Sequence, residues 1–468
     1  MSTTTPAQAS QISGRRRGLF LLTIALGVLL NPLNSSMISV AMTKFQHVFS
    51  VNFTTASWLI SSYYLASAVA QPIMGKLADL VGRKALFLMG LSIVALSCAL
   101  APFSPSFAWL IVFRLIQSFG SGAIYPAGMG IVRNVITERQ SQALALLAVF
   151  SSGAAAFGPS VGGLIMRYTD WQGIFWVNFP FIVASLLLGW WLLPSDRSDH
   201  TGREQPDGGR PRWAGLVDRM DVPGIALFTI GIVTSLFFLL SLSDVIRWWP
   251  LPVAMVSFGL FAWRESRARE PFLSLRFFRA NRPLTWVLAQ FTVVNVIFYS
   301  VFFGMPTYLE EVRHFDTQQT GLLMLCIAGF SLITSPITGR WVNRSGSRPP
   351  LLLAAVCMVV GSVLYLTIRT HSPVGWLIVV LSVLGLSNGF NNVGLQTALF
   401  RVSPKDVIST ASGLFQMARY MGTILSTIVL GLAFGAHIST SELHKLAIVL
   451  ACLGVIVLVM SLRLPKRA

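Results

Sequence analysis

Long apolar runs, broken only by short charged gaps, constrain this chain more than any other feature. Residues 19–43, 56–74, 85–102 and 107–132 are each close to or above the length of an element that crosses a bilayer. A helix needs ~20 apolar residues to pass ~30 Å of hydrocarbon. Charged residues make up 11% of the chain and apolar ones 54%, with a mean hydropathy of +0.68. A soluble domain carries about 25% charged residues. The alternating segments of about ten residues that mark a membrane barrel are absent. The class is therefore an all-α integral membrane protein.

Fourteen transmembrane helices are predicted, over 19–43, 56–76, 85–102, 107–132, 141–166, 174–193, 222–243, 248–263, 284–309, 318–341, 350–368, 373–399, 407–435 and 444–463. The segment 248–263, "WWPLPVAMVSFGLFAW", is the shortest, with tryptophans at both ends suited to the interface; a re-entrant segment is its alternative. The basic residues test the count. Segments on the side of the N-terminus hold 27 of the 35 Lys+Arg, and the opposite loops hold six: Lys44, Arg167, Arg247, Arg313, Arg369 and Lys445. By the positive-inside rule both termini are cytoplasmic. Arg15–Arg17 ahead of the first apolar run resembles a signal anchor, too long for a cleaved signal core. The net charge of +18 punctuates the gaps and gathers on no amphipathic face, so no nucleic-acid partner is expected.

The expected organisation is a cytoplasmic tail (1–18), a six-helix half (19–193), a polar cytoplasmic linker (194–221), two inserted helices (222–263), a basic cytoplasmic loop (264–283), a second six-helix half (284–463) and a short tail (464–468). Cys98, Cys326, Cys357 and Cys452 fall singly within apolar runs and read as small buried apolar residues. The six histidines lack ligand spacing, so no metal site and no cofactor is expected.

One short stretch is conspicuous for its charge. "GKLADLVGRK" (75–84) joins the second and third runs, and "GRWVNRSGSR" (339–348) joins the corresponding runs of the second half. Gly75 matches Gly339, Asp79 matches Asn343, Gly82 matches Gly346, and Lys84 matches Arg348. Two halves of six spans plus two inserted helices describe an alternating-access transporter.

These residues resemble a known family. "GKLADLVGRK" is similar to the signature loop of the major facilitator superfamily. "RLIQSFGSG" (114–122) resembles its fourth-span motif, and "GAAAFGPSVGG" (153–163) its fifth-span antiporter motif. "DWQGIFWVNFP" (170–180) resembles the start of the sixth span in the fourteen-span drug:proton antiporter branch. The resemblance implies export of small organic molecules driven by proton entry across a bacterial-type inner membrane. In that family the 75–84 loop latches the two halves on the cytoplasmic side.

Physical chemistry gives each motif a task. Gly75 removes a side chain where helices approach, and Gly82 can adopt positive φ. Asp79 can accept from helix N-terminal amides or pair with a cation, while Arg83 and Lys84 are expected to face phosphate headgroups. The bland alternative is that this loop only orients its span. Gly153, Gly158, Gly162 and Gly163 allow tight packing, and Pro159 bends the helix, which suits a hinge; ordinary packing is the alternative.

Arg114 and Arg419 lie inside spans, and a membrane cation is a functional candidate by default. "NSSMISVAM" (34–42) resembles the branch's first-span motif, yet begins with Asn34 where that motif has Asp. No Asp or Glu lies deep in any span; Asp244, Glu310 and Glu311 stand at outer ends. Two buried arginines without buried acids favour anionic, zwitterionic or neutral substrates over cationic drugs. Candidates for the substrate and proton path are Asn34, Arg114, Gln117, Tyr125, Asn295, Asn388, Asn392, Gln416 and Arg419. Tyr63, Tyr64, Gln290, Asn391 and Gln396 add further uncharged polar groups within spans.

The expected function is a proton-coupled exporter of small amphipathic molecules, acting as a monomer with the substrate, protons and the lipid bilayer as partners. A proton-coupled or facilitative transporter of organic anions or metabolites is the alternative within transport, and a non-transporting membrane sensor is the alternative from another class. An enzyme is not expected, because no catalytic cluster and no GxxxxGK[ST] loop occurs.

Overall fold

The computed structural model describes residues 14–51, 53–194, 220–241, 246–268, 271–273, 281–404, 407–434 and 438–464. The 194–221 linker and both tails therefore lie largely outside the described residues, as do Asp244 and residues 269–270 and 274–280 of the basic loop. The described residues are helical, with no strand among them. In chain order the helices are α1 (Gly14–Val28), α2 (Leu30–Val40), α3 (Met42–Phe49), α4 (Phe53–Val81), α5 (Arg83–Leu100), α6 (Phe107–Val135), α7 (Gln140–Thr169), α8 (Gly173–Trp176), α9 (Phe179–Leu192), α10 (Val222–Ser241), α11 (Pro250–Arg267), α12 (Arg282–Glu311), α13 (Thr317–Ser345), α14 (Arg348–Tyr365), α15 (Val374–Val402), α16 (Ile408–Phe434) and α17 (Thr440–Arg463).

Eleven helical stretches among the described residues are long and apolar enough to cross a membrane. Of the fourteen expected spans, 56–76, 141–166 and 248–263 are not among the eleven; α4, α7 and α11 cover them. α11 is continuous and about 27 Å long at 1.5 Å per residue. Its tryptophans Trp248, Trp249 and Trp263 are exposed near its two ends. The first expected span divides into α1 and α2, with Leu29 between them. The cysteines are free; Cys98 is buried, but Cys452 is exposed on α17, correcting the expectation that all four are buried.

Helices α1–α9 form one bundle and α12–α17 another, with α10 and α11 paired beside them. The bundles meet through two crossings of the same kind: α4 lies along α16, and α7 lies along α13. The repeat extends to prolines, since Pro72 in α4 and Pro336 in α13 each stand three residues before the repeat's first glycine. A helical proline cannot donate its own bond and frees a carbonyl one turn back, which bends the helix there. Helix starts are satisfied locally: Asp316 accepts from Gln319 N at 2.7 Å, and Asn281 from Leu284 N at 3.4 Å.

Candidate functional site

The α4–α16 crossing permits no side chain at Gly75. A Cβ there would lie 2.5 Å from Ser409 O and 2.9 Å from Thr410 Cα. One turn onward, that closeness brings Asp79 to the start of α16. Its Oδ2 accepts from Thr410 N at 2.8 Å and Thr410 Oγ1 at 2.9 Å, and its Oδ1 accepts from Ser409 N at 3.3 Å. First-turn amides have no intrahelical acceptor and carry partial positive charge, so a carboxylate suits them. Arg83 Nη2 donates to Asp79 Oδ1 at 3.0 Å, and Arg83 Nε to Ser409 Oγ at 3.0 Å. These contacts join the C-terminal end of α4 and Arg83 to the start of α16, across the two bundles.

Gly339 makes the related approach at α13–α7, where a Cβ would lie 2.8 Å from both Ala145 Cβ and Ser141 O. Gly82 and Gly346 both have positive φ, 111° and 84°, and turn the chain between helices. Asn343 breaks the correspondence: it is exposed, and no side-chain hydrogen bond among the described residues joins it to α7.

Arg83 and Lys84 do not face headgroups as expected. Arg83 is 7% exposed and belongs to the Asp79 cluster. Lys84 Nζ donates to Trp190 O at 2.8 Å and Leu193 O at 2.7 Å, at the C-terminus of α9. Arg348 does the same for α17 through Leu462 O at 2.8 Å. Unpaired carbonyls at a helix C-terminus carry partial negative charge and are nearer acceptors than any lipid phosphate.

The glycines of 153–163 divide. Gly158 and Gly162 face α2, where a Cβ would collide with Ser36 or lie 3.2 Å from Met37. Gly153 points toward Leu332 of α13, and Gly163 has nothing within 4 Å. The Pro159 side chain lies outside the described residues.

Between the bundles is a cavity of about 260 Å³. It lies from the middle of the molecule toward the end opposite the basic loops. Tyr125, Asn295, Asn388, Asn392, Gln416 and Arg419 of the expected path residues line it, together with Tyr64. Arg419 Nη2 donates to Asn392 Oδ1 at 3.2 Å, Asn392 Nδ2 to Asn388 Oδ1 at 3.2 Å, and Asn388 Nδ2 to Ser331 Oγ at 3.1 Å. The guanidinium also lies 5.5 Å from the Phe291 ring centre. No ion pair to Arg419 occurs among the described residues, and the lining contains no carboxylate. Phe298, Tyr299, Phe302 and Phe303 of α12 form an aromatic wall. Toward the basic end, Gln396 of α15 bonds to Tyr125 and Met129 of α6 and closes the floor.

Three expected path residues lie elsewhere. Asn34 accepts from Asn178 Nδ2 at 2.9 Å and ties α2 to the start of α9. Arg114, 1% exposed, bonds to Gln117, whose Nε2 reaches Cys98 Sγ at 3.1 Å. Its guanidinium stands 4.1 Å from the Tyr63 ring centre. Gln290 and Asn391 are likewise internal, bonded to Ser461 and Ser387. The sequence reasoning missed Asn31, Ser331 and Tyr420, all in the cavity lining. Asn31 Nδ2 donates to Tyr420 Oη at 2.8 Å across the two bundles. A polar residue beside Pro32, and a tyrosine adjoining Arg419, were the available signals. Among the described residues no group of His, Cys, Asp or Glu is placed to hold a metal ion.

Two helical bundles around a central cavity, built of helices long enough to cross a bilayer, define a multi-pass membrane transporter. Residues 24–427 match the family model of the Major Facilitator Superfamily. The chain is 43% identical over 456 residues to an uncharacterised MFS-type transporter, YwoD, of Bacillus subtilis (strain 168), covering 97% of this chain and 98% of that one. It is 26% identical to the tetracenomycin C resistance and export protein of Streptomyces glaucescens, over 89% of this chain and 76% of that one. Its fold is similar to that of the MFS proton:xylose symporter XylE bound to 6-bromo-6-deoxy-D-glucose, with a TM-score of 0.67 at 13% identity, covering 96% of this chain and 97% of that one. This chain belongs to the Major Facilitator Superfamily, whose members are transporters rather than enzymes.

Proposed function

We propose that this protein is a proton-coupled exporter of small amphipathic organic molecules, of the fourteen-span drug:proton type, acting as a monomer in a bacterial-type inner membrane. The observation that carries the reading is the cavity itself: an aromatic wall, a row of amides and one arginine, without an acid. Such a lining favours flat molecules that are neutral or carry a negative group, because a cation would be desolvated beside Arg419 with no counter-charge. The basic end is cytoplasmic in this reading, which the 27-to-six distribution of Lys+Arg supports. The closed latch then describes a state that offers the cavity to the outside. A relative that exports tetracenomycin C supports the direction.

The test is transport by the purified protein in vesicles under an imposed pH gradient, across anionic, neutral and cationic dyes. Anionic and neutral dyes are expected to move against their gradients. Movement of cations alone would sink the substrate assignment, and anion flux indifferent to the pH gradient would favour a facilitative transporter. Both termini and residues 200–210 are expected to be shielded from impermeant reagents in intact cells.

A further inference from the structure

Three carboxylates among the described residues are nearly removed from solvent. The side chain of Asp79 is 8% exposed, and Asp221 and Glu265 are 4% and 5% exposed. Asp79 is held by Arg83 and the α16 amides, and Asp221 pairs with Arg264 Nε at 2.7 Å. Glu265, near the end of α11 past the apolar run 248–263, has no ion pair among the described residues. Its Oε2 is buried without a hydrogen-bond partner among the described residues, as is Oδ2 of Asp221. The two carboxylates face each other across the first turn of α10. A Cβ on Gly224 would collide with Asp221 Oδ2 and lie 3.3 Å from Glu265 Oε1.

Glu265 is also mechanically connected. Its Oε1 accepts from Phe272 N at 3.0 Å and Leu273 N at 3.2 Å. On the other side of that turn, Lys76 of α4 donates to Pro271 O at 2.7 Å and lies 5.8 Å from the Phe272 ring centre. Phe272 and Leu273 pack with Phe228, Phe261, Val69 and Leu414. The turn thus joins the inserted pair to α4 and α16, the helices of the Asp79 latch. The charged groups around Glu265 among the described residues are Asp221 just before α10, Arg264 from α11 and Lys76 from α4; the α16 residues of this cluster, Leu414, Tyr420 and Ile424, are uncharged.

We propose that Glu265, with Asp221 beside it, is the coupling proton site of this transporter, seated on the inserted helices rather than in the cavity. This rests on the proton-coupled reading above. A proton from water adds to Glu265 Oε2, removes a buried charge that has no ion pair among the described residues, and allows an O–H to point at Asp221. The neutral carboxyl is a weaker acceptor for the Phe272 and Leu273 amides, so protonation loosens the grip of α11 on the turn that α4 holds. Burial pushes the Glu265 carboxyl up to about 7, with Asp221 adding to the rise and the Leu273 and Phe272 amides and Lys76 opposing it.

The experiment is infrared titration of the full-length protein in lipid, following protonated carboxyl absorption. A band disappearing with a midpoint near 7 is expected in the parent. It should vanish in Glu265→Gln and shift to lower pH in Asp221→Asn. A midpoint below about 5, or a band unchanged in Glu265→Gln, overturns the assignment. Transport supplies the second readout. Glu265→Gln is expected to lose at least about tenfold of gradient-driven dye accumulation while dye exchange without a gradient persists; accumulation equal to the parent overturns the coupling role. If the parent moves no dye under a pH gradient, the export reading fails, and the infrared midpoint still decides whether Glu265 binds the proton.

Discussion

Lys84 and Arg348, related by the internal repeat, each tie off the last turn of a helix in their own bundle: Lys84 at α9, Arg348 at α17. These ties lie inside the bundles, whereas the Asp79 and Gly75 contacts lie between them. If the bundles move relative to one another, the α4–α16 and α7–α13 crossings are where contacts must change.

Asp79→Asn keeps the shape but exchanges a charged acceptor for a neutral one against two backbone amides and Arg83. Hydrogen bonds to charged groups contribute about 1.5–3 kcal/mol, so the closed state should lose about 10- to 100-fold in population. Efflux in vesicles should fall, with expression and membrane insertion intact. An unchanged efflux rate would reduce the loop to an orientation signal.

Gly75→Ala and Gly339→Ala place a Cβ against backbone or a facing Cβ at 2.5–2.9 Å. Overpacking costs about 1–3 kcal/mol, enough to slow transport about fivefold or more. Gly163→Ala, from the 153–163 motif, should be silent because its position is open. Equal effects at all three positions would contradict the packing account.

Arg419→Gln should remove at least about tenfold of anion transport while sparing a neutral substrate, since the cavity has no second cation in its lining. Arg419→Lys keeps the charge but loses the planar fork that meets Asn392 and lies over Phe291, so planar anions should suffer most. A dye panel across the parent and both variants checks this. Better export of a cationic dye by Arg419→Gln would reverse the sign argument.

Arg114→Ala should act on stability instead. It strands Gln117 in the interior, at about 1–3 kcal/mol, and removes the Tyr63 stacking. Thermal unfolding in detergent should drop, with apparent dye affinity changed less than about twofold. A large affinity change without loss of stability would return Arg114 to the transport path.

Stability should depend on pH through Glu265. Its carboxyl lies at about 7 in the folded protein against an ordinary 4.5, so between these values the folded state binds more protons than the unfolded one. The contribution of this group therefore falls as pH rises through that window and stays lost above it. The melting-temperature advantage of Glu265→Gln over the parent should grow between about pH 5 and about pH 8. A pH-independent difference would show that the carboxyl titrates elsewhere.

Much of this arrangement was legible in the chain. Apolar length marks helices because hydrocarbon demands it, and the 75–84 and 339–348 stretches mark an internal repeat, but the helices they cross come only from the fold. Helix rotation was not legible. Asn34 and Asn31 are one turn apart, yet the first turns to Asn178 and the second to the cavity. Arg114 and Arg419 look alike in sequence, and only the neighbours supplied by other helices, Tyr63 and Cys98 for one and Asn392 and Phe291 for the other, separate them. Glu265 was hidden because its burial comes from a turn that contributes backbone amides, which carry no residue signature.

The exchange of Asp79 for Asn343 has a mechanical consequence. Both crossings are too close for a side chain at their glycines, but one is clasped by a carboxylate and an arginine, and the other has no such clasp among the described residues. A body held so will not part evenly along its seam. The α7–α13 edge is expected to part first, with α4–α16 as the pivot, giving an aperture widest on the side of Gly339 and Asn343.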